Sequence, residues 1–240
     1  MASFLLTDIA NSINQGLDTS ATTITWCLKY LTNDAELQSR LRREIQTALH
    51  LAASSTGTQP DARAIAEANI PYLDAFIEEL LRVSQPAPTL SRGATIDTQI
   101  LGHRIPKGTE VFLLPNAASI LSPTFAIDET LRTEGCRASK HRTGAWDPSS
   151  INAFKPERWL KVGEDGSMRF DAKAGPTLAF GLGTRGCFGK RFAYMQLRMV
   201  IVLLVLNFEF GEVPGQLGGM EAVHRMVRKP ERCFVRVRML

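Results

Sequence analysis

One cysteine set among glycines is the chemically distinctive feature of this chain. Cys187 stands in the run Phe180-Gly181-Leu182-Gly183-Thr184-Arg185-Gly186-Cys187-Phe188-Gly189, just before an apolar helical stretch. A helix N-terminus presents unpaired N–H groups and positive potential, and both stabilise a thiolate. Arg185, Lys190 and Arg191 add positive charge. The glycines remove side chains where a flat group could approach the backbone, and the N–H groups there could bond the sulfur and tune its electron donation. Such a cysteine is suited to holding a metal through its thiolate. A buried structural cysteine beside a helix cap is the plainer alternative. Against it, three glycines at set offsets from one cysteine arise by chance in roughly three or four cases per ten thousand at ~7% glycine usage. A phosphate-binding loop would end in Gly-Lys-Ser/Thr, which is absent here.

Two other segments carry polar groups at helical spacing. Glu79-Leu80-Leu81-Arg82 puts a carboxylate and a guanidinium on one helix face. Alone, such a pair reads as a solvated surface pair worth about a few tenths of a kcal/mol. Gln15-Gly16-Leu17-Asp18-Thr19-Ser20 puts a glycine and a threonine in mid-helix. Gly16 allows a groove, the Thr19 hydroxyl can bend the helix or face a ligand, and Asp18 could feed a proton relay. Alone, this segment reads as an ordinary polar patch.

Together these segments resemble the cytochrome P450 family, whose haem-binding signature is Phe-Gly-x-Gly-x-Arg-x-Cys-x-Gly. The resemblance implies haem b (iron protoporphyrin IX) with Cys187 as axial thiolate, Arg185 on a propionate, Phe180 packed near the sulfur, and Gly189 closing the motif. An axial thiolate favours O–O bond cleavage. It also implies that Glu79 and Arg82 lock to Arg158 of Phe154-Lys155-Pro156-Glu157-Arg158-Trp159, a buried charge network holding the cysteine loop against the helical core. Arg92 matches a position that commonly binds a propionate, with an edge-strand surface arginine as the alternative. Ile105-Pro106-Lys107-Gly108-Thr109 matches the family's sheet turn. Residues 15–20 match its oxygen-activating segment, which makes Asp18 and Thr19 the catalytic pair. Gln15 departs from the usual Ala or Gly, so a narrower or more polar groove is expected.

By the same resemblance Leu17, Ala87, Thr89, Leu90 and the turn Gly218-Gly219-Met220 face a pocket for a hydrophobic substrate. The implied function is a monooxygenase of fungal secondary metabolism that inserts one atom of O₂ into a hydrophobic small molecule. Its electrons would come from an NADPH-dependent cytochrome P450 reductase docked on Lys190, Arg191 and Arg198. The motif spelling around Trp159 is similar to eukaryotic, microsomal members, which places a full-length relative at the endoplasmic reticulum. Residues 1–240 correspond to the C-terminal part of a single domain, starting in the central oxygen-binding helix. The membrane anchor, the early helices and the roof of the pocket have no counterpart. A truncated, inactive polypeptide that keeps the scaffold but cannot enclose haem or substrate is therefore the alternative, and the motifs alone do not separate the two. Intact Asp18-Thr19 argues against a third option, a haem-thiolate isomerase or dehydratase.

The elements that must position these residues follow from hydrophobic periodicity. Helical spacing runs from Ala2 to about Leu31 through Leu5, Ile9, Ile13, Leu17, Ile24 and Leu28. A second helix starts at an Asn33/Glu36 capping pair and carries Leu37, Leu41, Ile45 and Leu49. Polar residues 54–60 read as a loop. Pro71 opens a third helix, ended by Pro86 and Pro88. Thr89–Ile100 and Glu110–Leu114 read as strands joined through Gly102 and the Ile105–Gly108 turn, and residues 122–150 have no clear period. An apolar helix runs from just after Cys187 to about Leu206, and the tail from Cys233 to Arg238 alternates like a strand. The fold class is mostly α with a minor antiparallel β-sheet, in α+β style.

Composition agrees. The chain has 240 residues, 44% of them hydrophobic, enough for one large domain. A net charge of +4 makes no case for nucleic acid. The four cysteines are scattered, without zinc spacing, so free thiols are expected. The longest apolar run, Met199 to Leu206, is eight residues against the ~20 needed to span a bilayer, so no membrane anchor is expected in this chain.

Overall fold

The computed structural model describes residues 2–51 and 59–240, with side chains from residue 16 onward. Most of the polar 54–60 loop lies outside the described residues, as do the side chains of Leu5, Ile9, Ile13 and Gln15. In chain order the elements are α1 (Ala2–Asn33), α2 (Ala35–Ala48), α3 (Ala62–Glu67), α4 (Pro71–Ser84), β1 (Leu90–Gly93), β2 (Thr98–Ile100), β3 (His103–Ile105), β4 (Glu110–Leu113) and α5 (Glu134–Ser139). There follow β5 (Leu160–Val162), β6 (Met168–Phe170), α6 (Lys190–Asn207), β7 (Phe208–Gly211), α7 (Gly215–Gly218), β8 (Ala222–His224), β9 (Arg228–Pro230) and β10 (Arg236–Met239). No helix among the described residues is long and apolar enough to cross a membrane.

The core is helical. Trp26, Cys27 and Leu31 of α1, Leu37, Leu41 and Ile45 of α2, and Leu197, Ile201, Val202 and Val205 of α6 pack around α4, which is buried on nearly all sides. The apolar stripes recur at three and four residues, as a helix face requires. The start of α2 differs from expectation. Asp34, in extended backbone, caps the helix by accepting from Leu37 N at 2.8 Å, while Asn33 completes α1 and donates to Met220 Sδ. Asn33 is still helical as the last residue of α1, so the extended backbone that a capping residue needs falls to Asp34. The short α3 was not legible in the periodicity. Asp61 caps it through Ala64 N at 2.6 Å, and it buries only Ile65.

The expected sheet is five separate two-stranded antiparallel ribbons among the described residues. The 89–100 stretch divides into β1, which pairs with β4, and β2, which forms a hairpin with β3. Gly102, at φ +84°, turns that hairpin. The tail strand is shorter than its alternation suggests and pairs only from Arg236, against β7. Isolated ribbons are marginal in water, and several lean on helices: β5 and β6 on α4, β7 on α1, α2 and α6, and β9 on α1. Arg228 of β9 shows how: its guanidinium lies 4.8 Å over the Trp26 ring and donates to the Val83 and Ser84 carbonyls at the end of α4.

A second, smaller core joins Ala75 of α4 to Trp146, Ile151 and Trp159. Trp146 packs edge-on to Trp159 and lies so close to Gly175 that a methyl there would come within 2.3 Å of the ring.

Candidate active site

The glycine-rich loop closes on itself before α6 begins. Gly181 N donates to Leu178 O at 2.9 Å, a 3₁₀ turn over Gly183–Arg185 brings Gly186 N to Gly183 O at 3.0 Å, and Cys187 N donates to Phe180 O at 2.8 Å. Gly181 and Gly183 sit at φ +66° and +70°, a region that side-chain-bearing residues enter only at a cost. The ring therefore runs from Phe180 to Cys187 and holds the cysteine three residues before α6. Gly189 precedes that helix without a side-chain cap.

Cys187 faces a cavity of about 210 Å³ where α1, the turn after α4, the loop and α6 meet. The loop contributes Ala179, Phe180, Arg185 and Cys187, and α1 contributes Thr19, Ser20 and Thr23. Leu81, Pro86, Ala87 and Leu90 form another wall, and Ala193 and Leu197 complete it from α6. Residues more than 160 positions apart in the chain thus share one apolar space with a thiol and a guanidinium at one side and hydroxyls at another. Arg92 flanks the loop: a methyl in place of the Gly181 hydrogen would lie 3.8 Å from Arg92 Nη2. Its other terminal nitrogen donates to Ser91 O at 2.7 Å.

Of the expected site residues, Thr19, Phe180, Arg185, Cys187, Ala87 and Leu90 line this cavity. Thr19 Oγ1 reaches toward Gly16 O at 3.5 Å, and the Thr19 carbonyl accepts from Thr23 Oγ1 at 2.9 Å. Asp18 and Leu17 are exposed on α1 and do not line the cavity, and neither does Thr89. Met220 packs on the helical core instead of the cavity. Sequence reasoning missed Ser20, Thr23, Ala193 and Leu197. The signal was present in the Thr19/Thr23 and Ala193/Leu197 spacings, since side chains four apart share a helix face.

Glu79, Arg82 and Trp159 are buried at the centre of a charge network. Arg82 grips the carboxylate through Nε (2.8 Å) and Nη2 (2.7 Å), while Arg158 Nε (3.0 Å), Trp159 Nε1 (2.9 Å) and the Lys155 N–H (2.9 Å) also donate to it. Arg82 and Arg158 spend their remaining donors on carbonyls of Ile120, Ser150, Ile151 and Ala153. These partners lie upstream of the cysteine loop, so the network pins residues 120 and 150–159 to α4.

Polar groups on another face of α4 meet α6. The Tyr194 hydroxyl donates to Glu78 Oε1, and the Tyr194 ring packs 5.3 Å from Phe180. Lys190 Nζ sits 5.6 Å above the Tyr194 ring and 5.8 Å above that of Phe180. Burial pushes the Glu78 carboxyl upward, against the pull of Tyr194 and Lys190. Burial and the facing Glu78 push the Tyr194 phenol up as well. Arg198, expected on a docking surface, is instead engaged within the fold. It pairs with Asp74 at 2.7 Å and donates to the Ile65 and Ala68 carbonyls, because α3 packs over its side of α6. Lys190 and Arg191 remain exposed.

Comparison with known proteins places these features. The family model described as Cytochrome P450 matches residues 5–120 and 146–233. The chain is 42% identical over 233 residues to the cytochrome P450 monooxygenase TRI13 of Fusarium sporotrichioides, covering 92% of this chain and 39% of that protein. It is 35% identical over 243 residues to the Hps1-dma1 cluster cytochrome P450 monooxygenase cyp3.1 of Dothistroma septosporum, covering 96% of this chain and 76% of the relative. A crystal structure of a cytochrome P450 (CYP102L1) superimposes with a TM-score of 0.65 at 24% identity, over 92% of this chain and 42% of that one, which shows the shared fold. The chain thus spans about two-fifths of the length of TRI13.

Proposed function

This chain belongs to the cytochrome P450 family, and on that premise we propose that it carries the haem-thiolate site of a monooxygenase inserting one atom of O₂ into a hydrophobic small molecule of fungal secondary metabolism. The observation that carries the reading is that Thr19, Arg185 and Cys187 line one apolar cavity. Haem, when bound, supplies the activation of O₂.

The residues present fit that group. A cysteine sulfur faces an apolar space with no Cβ at Gly181 or Gly183, and two guanidiniums, Arg185 and Arg92, stand beside the loop for two propionates. Cys187 would hold the haem iron through its thiolate, and its backbone N–H is already committed to Phe180 O, which fixes the loop before anything binds. Arg185 and Arg92 would hold its carboxylates as charge-assisted donors. Thr19 and Ser20 line the α1 wall, where a hydroxyl can orient a polar ligand and relay a proton, while the Thr23 hydroxyl donates to the Thr19 carbonyl. Asp18, one residue away and in solvent, is placed to exchange protons with water for that relay. Leu81, Pro86, Ala87 and Leu90 keep water from one side and select an apolar substrate. Lys190 and Arg191 beside the loop suit an acidic surface of an NADPH-dependent reductase at the endoplasmic reticulum.

The test is the carbon-monoxide difference spectrum of the reduced protein, expressed with haem supply. A thiolate-type band that disappears in Cys187→Ser supports the reading, and failure to take up haem at all sinks it for this polypeptide. That failure is the outcome expected of the second reading, a scaffold that encloses neither haem nor substrate.

A further inference from the structure

Among the described residues no side chain caps the first turn of α6, although that turn follows the cysteine directly. Gly189 offers no capping side chain, and the first contact back to the loop is a long one, Lys190 N to Cys187 O at 3.4 Å. The helix is instead fastened from the side, along a polar seam with α4. Asp74 and Glu78 are one turn apart on α4, and they face Arg198 and Tyr194, one turn apart on α6 and in reverse order. The two tiers differ in what they reach. The Asp74–Arg198 tier ties α6 to α3 and the turn after it, through the Ile65 and Ala68 carbonyls. The Glu78–Tyr194 tier lies under the loop, for the ring of Tyr194 backs onto Phe180, and the carbonyl of Phe180 accepts the N–H of Cys187.

We infer that Glu78 and Tyr194 act together as positioning residues for Cys187, with the phenol–carboxylate hydrogen bond setting the seat of Phe180 and so the position of the cysteine sulfur. This rests on the reading of Cys187 as a haem ligand. The path has three links: Glu78 fixes the Tyr194 hydroxyl, the Tyr194 ring fixes the Phe180 ring, and Phe180 fixes the Cys187 amide. Lys190 covers both rings from the solvent side and stays close enough to Glu78 to favour its charged form. Adjacent glutamates on α4 thereby take separate duties, Glu79 pinning residues 150–159 and Glu78 seating the loop. A ligand held by packing and a neighbouring hydrogen bond depends on that outer support for its orientation.

The experiment compares the haem-loaded protein with its Tyr194→Phe, Glu78→Gln and Asp74→Ala variants. Haem content, the proportion of thiolate-type band in the reduced carbon-monoxide spectrum, and the rate at which that band converts to the neutral-thiol form are measured for each. Tyr194→Phe keeps the ring and loses only the hydroxyl; it is expected to bind haem in full yet convert about fivefold faster, the scale of one lost hydrogen bond. Glu78→Gln keeps an acceptor for the phenol and is expected to stay within twofold of the unaltered protein. Asp74→Ala weakens the same helix pair without touching Phe180, so it is expected to melt earlier with the conversion rate unchanged. An unchanged rate in Tyr194→Phe overturns the inference while leaving Cys187 as ligand. An equal acceleration in Asp74→Ala overturns it too, by reducing the effect to helix stability. Absence of the thiolate-type band from the unaltered protein removes the premise itself.

Discussion

Glu79 and Arg82 stand one turn apart on α4 and meet through two contacts of 2.8 and 2.7 Å, with neither side chain reaching solvent. Removing one member of a buried pair leaves the other charged and dry. Arg82→Ala is expected to cost about 3–5 kcal/mol, read as a lowered urea midpoint. Arg82→Lys recovers little, because one ammonium cannot serve the carboxylate together with the Ile120, Ile151 and Ala153 carbonyls.

Gly175 and Gly135 make opposite predictions. A methyl at Gly175 would press into Trp146 at 2.3 Å, so Gly175→Ala is expected to destabilise by about 1–3 kcal/mol. A methyl at Gly135, inside α5, meets nothing within 4 Å, and Gly135→Ala is expected to stabilise by about 0.4–1 kcal/mol. Thermal melting of both variants distinguishes backbone freedom from close approach as the reason for each glycine.

The four cysteines are expected to react in a definite order. Cys136 and Cys187 are exposed, Cys233 is half-buried with its thiol pushed up by burial, and Cys27 is wholly buried with its thiol pushed further up. Brief alkylation of the haem-free chain followed by peptide mass analysis should label Cys136 and Cys187 first, then Cys233, and Cys27 only after unfolding. Adding haem should protect Cys187 and leave Cys136 unchanged; equal labelling of Cys187 with and without haem would count against its role as ligand.

Glu78 gives a pH dependence of definite sign. Its folded-state value is raised above 4.5 by burial, with Asp74 adding to the rise and Tyr194 and Lys190 opposing it. Across the window from about 4.5 upward the folded state holds the proton more tightly, so this group's contribution is full below the window and is lost as pH rises through it. Glu78→Gln cannot ionise, so its melting temperature should gain on that of the unaltered protein as pH climbs from acid to neutral. A difference independent of pH would show that Glu78 titrates normally.

Charge on the loop side of α6 separates docking from folding. Under the proposed function, Arg191→Glu is expected to leave melting unchanged while slowing reduction by an NADPH-dependent reductase, most at low salt, where exposed charges are least screened. Arg198→Ala is expected to lower stability by about 1.5–3 kcal/mol, the scale of a charged hydrogen-bonding group lost, because its partners lie within the fold. Stopped-flow reduction and melting curves on the two variants measure these effects.

What the amino-acid order determined by itself is local. The spans of α1, α4 and α6 were legible because a helix repeats its apolar face every three or four residues, and the chain writes that period out in Leu73, Phe76, Ile77 and Leu80. The cysteine loop was legible for a similar reason: its shape depends on residues within ten positions, and Gly181 and Gly183 occupy the positive-φ positions that shape requires. The family itself was readable from the same short runs. Only the tertiary structure decided facing and partnership. Glu78 and Glu79 are adjacent and chemically identical, yet one meets Tyr194 and the other Arg82, Arg158 and Trp159. Asp18 and Thr19 are adjacent too, and only Thr19 lines the cavity. Arg198 read as a surface cation until α3, invisible to periodicity at six residues, covered it. Each step along a helix turns a side chain by about 100°, so the duty of each residue depends on which distant segment packs against that side, and no local pattern records it.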